Sequence, residues 1–244
     1  MRPLDKKLPN EVVKIKTSDG KILDPIIQSE YRNYRDAKLP LIGNFGRYCS
    51  YCEALVEVGN LEVEHCIPKS KGGSEVEWDN FLLSCKSCNS IKSNKDIAFN
   101  CHFPHTNNTF LDFIYDEAGR VKVNPNLPEV SKLKAQNLVG LLGLDRNCDN
   151  VTQSDFRWQR RLESWDKAVR TRERYVQGTY DENDVILYAQ EIGHWSIWFT
   201  VFEGIDKVLS RLISDFEGTC ASCFDAQNHF RPVYRNPLNI GDPV

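Results

Sequence analysis

The 244-residue chain lacks any run of about 18 apolar residues, the length a helix needs to cross a bilayer, so no membrane span is expected. It also lacks an apolar stretch behind the charges of its first seven residues, Met1 to Lys7, which argues against a secretory signal and makes the cytoplasm the expected location. No internal repeat and no low-complexity tract occurs, which excludes solenoids and disordered linkers. Nor is there an excess of positive charge. The net charge is −3, whereas a protein that grips nucleic acid over a broad face is usually basic. That leaves room for a small basic site, or for a partner that supplies affinity. What is present is an ordinary globular balance, 41% hydrophobic and 27% charged, enough to bury a core.

The residue pattern predicts an α+β protein in four stretches. Residues 1–45 are polar and interrupted by Pro3, Pro9, Pro25 and Pro40. They read as an extended N-terminal arm with one helix over Ile26–Lys38, where Ile27, Tyr31 and Tyr34 recur at helical spacing. Residues 46–100 are compact and rich in Cys and Lys, with Leu61-Glu62-Val63-Glu64 alternating as a strand does. Residues 101–130 read as loops with a hairpin over Phe113–Val123, turning at Glu117-Ala118-Gly119. From residue 131 to 244 the pattern is helical. Leu133, Leu138, Leu141 and Leu142 mark one helix, Phe156–Val176 a second, and Asn183–Ile213 a long aromatic-rich third, with a break near Gly204.

Nine cysteines are distributed unevenly. Cys49/Cys52 and Cys85/Cys88 are matched Cys-x-x-Cys knuckles. In a reducing compartment such pairs favour zinc over disulfides. Four thiolates close a tetrahedral site with no open position, which makes it structural. Unrelated buried thiols are the bland alternative. Between the knuckles, Glu64-His65 ends the predicted strand, Asn80 follows the Gly-rich loop Lys71-Gly72-Gly73-Ser74, and Asn89 directly follows the last cysteine at the start of a helix. One structural ion would hold these two halves in register.

This arrangement over Cys49–Lys95 resembles the HNH nuclease family, in its His-Asn-Asn form. The resemblance implies a ββα-metal core that hydrolyses DNA phosphodiester bonds. It assigns the general base to His65, support of the loop and the imidazole to Asn80, and a metal-ligand position to Asn89. The family usually carries aspartate before the histidine. Here Glu64 keeps the carboxylate on a longer arm. Oxygen ligands from Glu64 and Asn89 suit Mg²⁺ or Mn²⁺, distinct from the zinc in sulfur. Each residue also has a bland reading: a surface histidine, a solvated carboxylate, a turn-forming Asn80, and Asn89 as a helix N-cap.

Lys69, Lys71, Lys86, Lys92 and Lys95 suit phosphate contacts beside the cleft, although Glu75, Glu77, Asp79 and Asp96 lie among them and an ordinary solvated surface is the alternative. Glu64–Ser70 and Leu141–Arg146 are similar to the PtuB-like HNH subunits of Septu and retron-type antiphage systems. That likeness implies a DNA substrate and a complex with an ABC/SMC-type ATPase. Rival readings are a free-standing restriction or mobile-element endonuclease, and a non-catalytic zinc-stabilised binding module. Weaker signals remain. Cys220/Cys223 form a third knuckle that His229 or Cys148 could join. Cys101, His102 and His105 share an Asn-rich loop, and Cys66 reads as packed. The stripe Trp195, Trp198, Phe199 and Phe202 reads as core, with a protein interface as the alternative. The arginines of 157–174 read as intrahelical ion pairs.

Overall fold

Short hairpins alternate with helices along the computed structural model, which describes residues 1–17, 19–95, 100–147, 149 and 155–235. Cys148 and Asp96 lie outside them. Hairpin β1 (Ile15–Lys16)–β2 (Ile22–Leu23) precedes α1 (Lys38–Phe45). Then come β3 (Leu61–His65), β4 (Phe81–Cys85) and α2 (Lys86–Lys92), followed by α3 (Thr109–Asp112) and the hairpin β5 (Phe113–Tyr115)–β6 (Val121–Val123). Helices α4 (Glu129–Leu142), α5 (Arg157–Val176), α6 (Glu182–Ile192), α7 (Trp195–Val201) and α8 (Asp206–Asp215) lead to a last small hairpin, β7 (Phe224–Asp225)–β8 (Arg231–Pro232). The chain is therefore α+β. Among the described residues no helix is long and apolar enough to cross a membrane.

Every named strand belongs to a two-stranded antiparallel sheet. An isolated hairpin is marginal in water, so each must lean on something else. The support is one connected core that runs from Leu4, Val13 and Ile27 of the first stretch through Phe81 and Leu83 to Trp195, Trp198 and Phe224. The aromatic stripe is part of it, since Trp195, Trp198, Phe199 and Phe202 are all buried. Rings of Trp195 and Phe199 stack at 4.8 Å, and Phe110 meets Phe199 edge-on at 4.9 Å.

The first forty residues differ from the expectation. The helix expected over Ile26–Lys38 is extended chain followed by a 3-10 turn at Tyr34–Ala37, and α1 begins only at Lys38. The cause is tertiary pairing. The Tyr31 N–H donates to the Val76 carbonyl at 2.9 Å, and the Trp78 N–H to the Ser29 carbonyl at 2.9 Å, so these backbone groups are satisfied without a helix. Pro40 does not break α1, because it stands in the first turn, where its missing N–H has no helical acceptor. The arm is also packed: Lys6 donates to the carbonyls of Trp78 and Phe81, and the Trp78 indole donates to the Lys7 carbonyl at 2.9 Å.

The Phe113–Val123 hairpin forms as expected, and its tip docks on α5. Gly119, at φ 67°, lies so close to Trp158 and Leu162 that a Cβ would overlap their backbone, and Arg161 donates to its carbonyl at 2.7 Å. Arg161 is thus a buried hook on carbonyls, including those of Leu144 and Arg146, rather than an intrahelical pair. Arg160–Glu163 does pair within the helix, at 3.2 Å. The stretch expected as one long helix is three. It breaks at Gly204 as expected and also at Gly193, where φ is 78°. In α4, Leu133 faces solvent, and the buried face is Ala135, Leu138, Val139, Leu141 and Leu142.

Gly193 has a second constraint. It bridges Ala54 of the first knuckle, and a Cβ there would stand 2.7 Å from both the Glu53 carbonyl oxygen and the Leu55 nitrogen. Gly193→Ala is expected to lower the unfolding free energy by at least about 1–3 kcal/mol, from backbone strain plus that overlap, as read from the urea midpoint.

Candidate metal centre and active-site cleft

Cys49 and Cys52 sit in a tight turn whose Cys49 N–H donates to the Ala54 carbonyl at 3.0 Å and whose Glu53 N–H donates back to the Cys49 carbonyl at 2.9 Å. Cys85 ends β4 and is the N-cap of α2, its sulfur accepting from the Cys88 N–H at 3.4 Å. The four sulfurs lie within 4.8 Å of one another, and those of Cys52 and Cys85 are 3.8 Å apart. A zinc tetrahedron with bonds of about 2.3 Å has edges of about 3.8 Å, so the donor set fits that ion. A guanidinium offsets the charge: Arg157, the first residue of α5, donates to the Cys88 sulfur at 3.1 Å. Arg157 also pairs with Asp155 at 2.7 Å, so its partners lie outside α5.

Glu53 anchors the first knuckle to the helices. It sits at φ 62°, is buried, and accepts from the Ser196 N–H at 2.8 Å and the Ser196 hydroxyl at 2.6 Å, as well as from the Arg2 N–H. Its carboxylate thereby satisfies a free N–H in the first turn of α7, where negative charge is favoured.

β3 and β4 pair antiparallel with His65 opposite Phe81 and Glu64 opposite Leu82. A continuing strand would send Glu64 and His65 to opposite faces, but β3 ends at His65. Both side chains line one open cleft of about 330 Å³, together with Tyr34, Lys69, Asn89 and Lys92. The His65 ring lies between Tyr34 at 5.0 Å and Phe81 at 5.1 Å. Its Nε2 is 3.2 Å from the Glu75 carbonyl oxygen. A carbonyl only accepts, so Nε2 carries the hydrogen and Nδ1 keeps the lone pair. Burial, reinforced by the nearby ammoniums of Lys69 and Lys92, holds the imidazole below its ordinary pKa.

Asn80 lies beneath the loop rather than in the cleft lining. Its Oδ1 accepts from the Ile67 N–H at 2.8 Å, and its Nδ2 donates to the carbonyls of Ile67 at 3.0 Å and Ser74 at 2.7 Å. One amide thus closes the loop that follows His65. Asn89 is not the N-cap; Cys85 is. The Asn89 Nδ2 donates to Glu62 at 2.5 Å, and since a carboxylate only accepts, this contact turns Oδ1 away from Glu62.

Glu64 is 4% exposed and Lys92 1%. The Lys92 ammonium lies 2.5 Å from Glu64 Oε1 and donates to the His65 carbonyl at 2.7 Å. The carboxylate contact is an ion pair without hydrogen-bond alignment, and Oε1 has no aligned donor. Burial pushes the Glu64 carboxyl up to about 7, against the opposing pull of Lys92. A buried, under-satisfied carboxylate oxygen beside an amide-bearing cleft fits a hard divalent cation, which accepts few protein ligands and keeps water or phosphate on the rest of its shell.

The lysines expected to flank the cleft have different surroundings. Lys69 lines it, pairs with Glu75 at 2.6 Å and stands 5.3 Å over the Tyr34 ring. Lys92 is buried in it. Lys95 donates to the Leu141 carbonyl at 3.4 Å, and neither it nor Lys71 is among the residues lining the cleft. Among the described residues, the Cys49 group is the one cluster of three or more His, Cys, Asp or Glu side chains placed to share an ion. Cys220 and Cys223 therefore have no third ligand there, His229 pairs with Asp206 at 2.8 Å, and His102 pairs with Asp112. Cys66 is packed, its thiol pushed up to about 12 by burial.

Sequence reasoning missed Tyr34, Glu53, Glu62 and Arg157. Glu62 had a signal, since it shares strand parity with Glu64. The others come from segments whose docking no local pattern announces.

Residues 49–95 match the HNH endonuclease family. The chain is also 32% identical over 95 residues to the Septu protein PtuB of Bacillus thuringiensis, a match that covers 37% of this chain and 37% of that protein.

The cage is expected to hold one tightly bound zinc, measurable by elemental analysis. Cys88→Ser or a strong chelator should remove it and abolish the near-ultraviolet circular dichroism of the β3–β4–α2 unit, because metal-binding energy is folding energy in such sites. Asn80→Ala should cost about 1–3 kcal/mol by leaving half-buried backbone groups of Ile67 and Ser74 unpaired, as read by denaturant titration.

Proposed function

We infer, from an HNH endonuclease domain at residues 49–95 in which His65, Glu64 and Asn89 share one cleft, that the protein is a metal-dependent endonuclease hydrolysing DNA phosphodiester bonds. The observation that carries this reading is the state of His65. Its Nε2–H is committed to the Glu75 carbonyl, its pKa is held low, and Nδ1 is the basic nitrogen.

In this reading His65 takes a proton from the water that attacks phosphorus. Asn80 fixes the loop that sets the imidazole's position. Glu64 and the Asn89 amide oxygen hold Mg²⁺ or Mn²⁺, which when bound supplies Lewis-acid stabilisation of charge on the phosphate and the leaving oxygen. Lys69 meets a neighbouring phosphate. Zinc in the four-thiol cage is structural and takes no part in the chemistry.

The biological setting is part of the proposal. The likeness to a Septu PtuB protein supports a nuclease subunit of a cytoplasmic antiphage complex, working with an ABC/SMC-type ATPase. A net charge of −3 suits a protein whose grip on DNA is supplied in part by a partner.

Plasmid cleavage in Mg²⁺ or Mn²⁺, alone and with any ATPase whose gene neighbours this one, tests the reading. His65→Ala should lower the rate by about 10²–10⁴-fold. Equal nicking by wild type and His65→Ala in both settings would falsify it. The pH profile gives a second check. Neutral imidazole is the active form, so activity falls as pH drops through the His65 pKa. With Mg²⁺ saturating, that acid limb should lie below the ordinary histidine value of about 6.5. At low Mg²⁺ a limb near 7 should appear, because protons and the cation compete for Glu64, and it should move to lower pH as Mg²⁺ is raised.

A further inference from the structure

Lysine is almost never fully buried unless paired, and a buried ammonium at the floor of an open cleft calls for a reason. Lys92 reaches that floor from the last turn of α2. Its Nζ lies 2.5 Å from Glu64 Oε1 and 2.7 Å from the His65 carbonyl oxygen. A carboxylate and a backbone carbonyl converging on one positive centre are the donor types that hard cations use. Asn89, which lines the same cleft, stands three residues earlier on the same helix.

We propose that Lys92 is the built-in competitor for the catalytic cation: its ammonium occupies the cation position at Glu64, and a divalent ion binds only by displacing it. This rests on the nuclease reading of the cleft. A divalent ion sits about 2.0–2.2 Å from a carboxylate oxygen, and the ammonium already lies at contact distance from that oxygen. The two cannot share the position, by volume or by charge. The lysine has somewhere to go, because its flexible four-carbon stem opens onto the cleft beside Ser93, Pro68 and Lys69. Lys92 therefore sets metal affinity without being a ligand. It is the counter-ion of the buried carboxylate at low metal, and it lowers the affinity that Glu64 would otherwise show.

Direct Mn²⁺ binding to the zinc-loaded full chain, followed by electron paramagnetic resonance, tests this without reference to cleavage. Wild type, Lys92→Gln, Glu64→Gln and the double variant are compared. Lys92→Gln is expected to bind Mn²⁺ at least about tenfold more tightly than wild type, since it leaves a buried carboxylate with no other counter-ion. Both variants carrying Glu64→Gln should lose that site. Equal affinity in wild type and Lys92→Gln overturns the competition and leaves the nuclease reading standing. Tighter binding that survives in the double variant also overturns it, because the ion is then not at Glu64. Absence of any Glu64-dependent Mn²⁺ in all four proteins removes the metal reading of the cleft and this inference with it. If Lys92→Gln does not fold by itself, folded fraction against Mn²⁺ carries the same comparison. Mn²⁺ should refold Lys92→Gln and not the double variant, and a Lys92→Gln chain that Mn²⁺ fails to refold counts against the proposal.

Discussion

Four sulfur atoms drawn from two distant turns are the constraint on which the site depends. β3 and β4 are only five residues each, and α2 has seven. None of these is long enough to be stable alone. The cage ties the end of β4 and the start of α2 to the Cys49 turn, and the Cys85 sulfur caps the helix as well. A single set of thiols thus fixes the angle at which α2 leaves the hairpin, and through it the approach of Asn89 and Lys92 to β3.

That approach has a regular geometry. On β3, Glu62 and Glu64 are two residues apart and share a face. On α2, Asn89 and Lys92 are three apart and share a face. The strand rises about 6.6 Å over its pair and the helix about 4.5 Å over its own, so the two pairs can meet when the axes lie alongside. Glu62 takes the amide and Glu64 takes the ammonium. The outer pair orients Asn89, and the inner pair keeps charge at the base of the cleft.

Much of the centre was readable because its signals are local. Cys-x-x-Cys spacing, a strand ending in Glu-His, a Gly-rich loop and Cys-Asn at a helix start are each short-range patterns that survive without knowledge of the fold. The Phe113–Val123 hairpin and α5 were readable for the same reason: turn residues in one case, an amphipathic 20-residue run in the other. Tertiary contacts hid the remainder. Residues 26–33 carry a helical spacing of apolar groups, yet the backbone of Ile27 bonds to Asn10 and Glu11, and that of Ser29 and Tyr31 to Trp78 and Val76. Gly193 lies inside an apolar pattern that reads as one helix, and its φ of 78° together with its abutment on Glu53 and Leu55 shows why a glycine stands there. Lys92 read as a phosphate-contacting lysine beside the cleft, with a solvated surface as the alternative, because sequence proximity to charge does not reveal burial.

The helices of the C-terminal half grip the sulfur cage from two directions. Arg157 reaches Cys88 from the head of α5, and the α6–α7 junction clasps the backbone and carboxylate of Glu53, one residue beyond Cys52. Both knuckles are thus wired to elements more than sixty residues downstream in the chain. Sliding α5 by a single helical repeat, about 5.4 Å, would drag the guanidinium off its sulfur, so the posture of the helical half and the integrity of the metal cage are mechanically one variable.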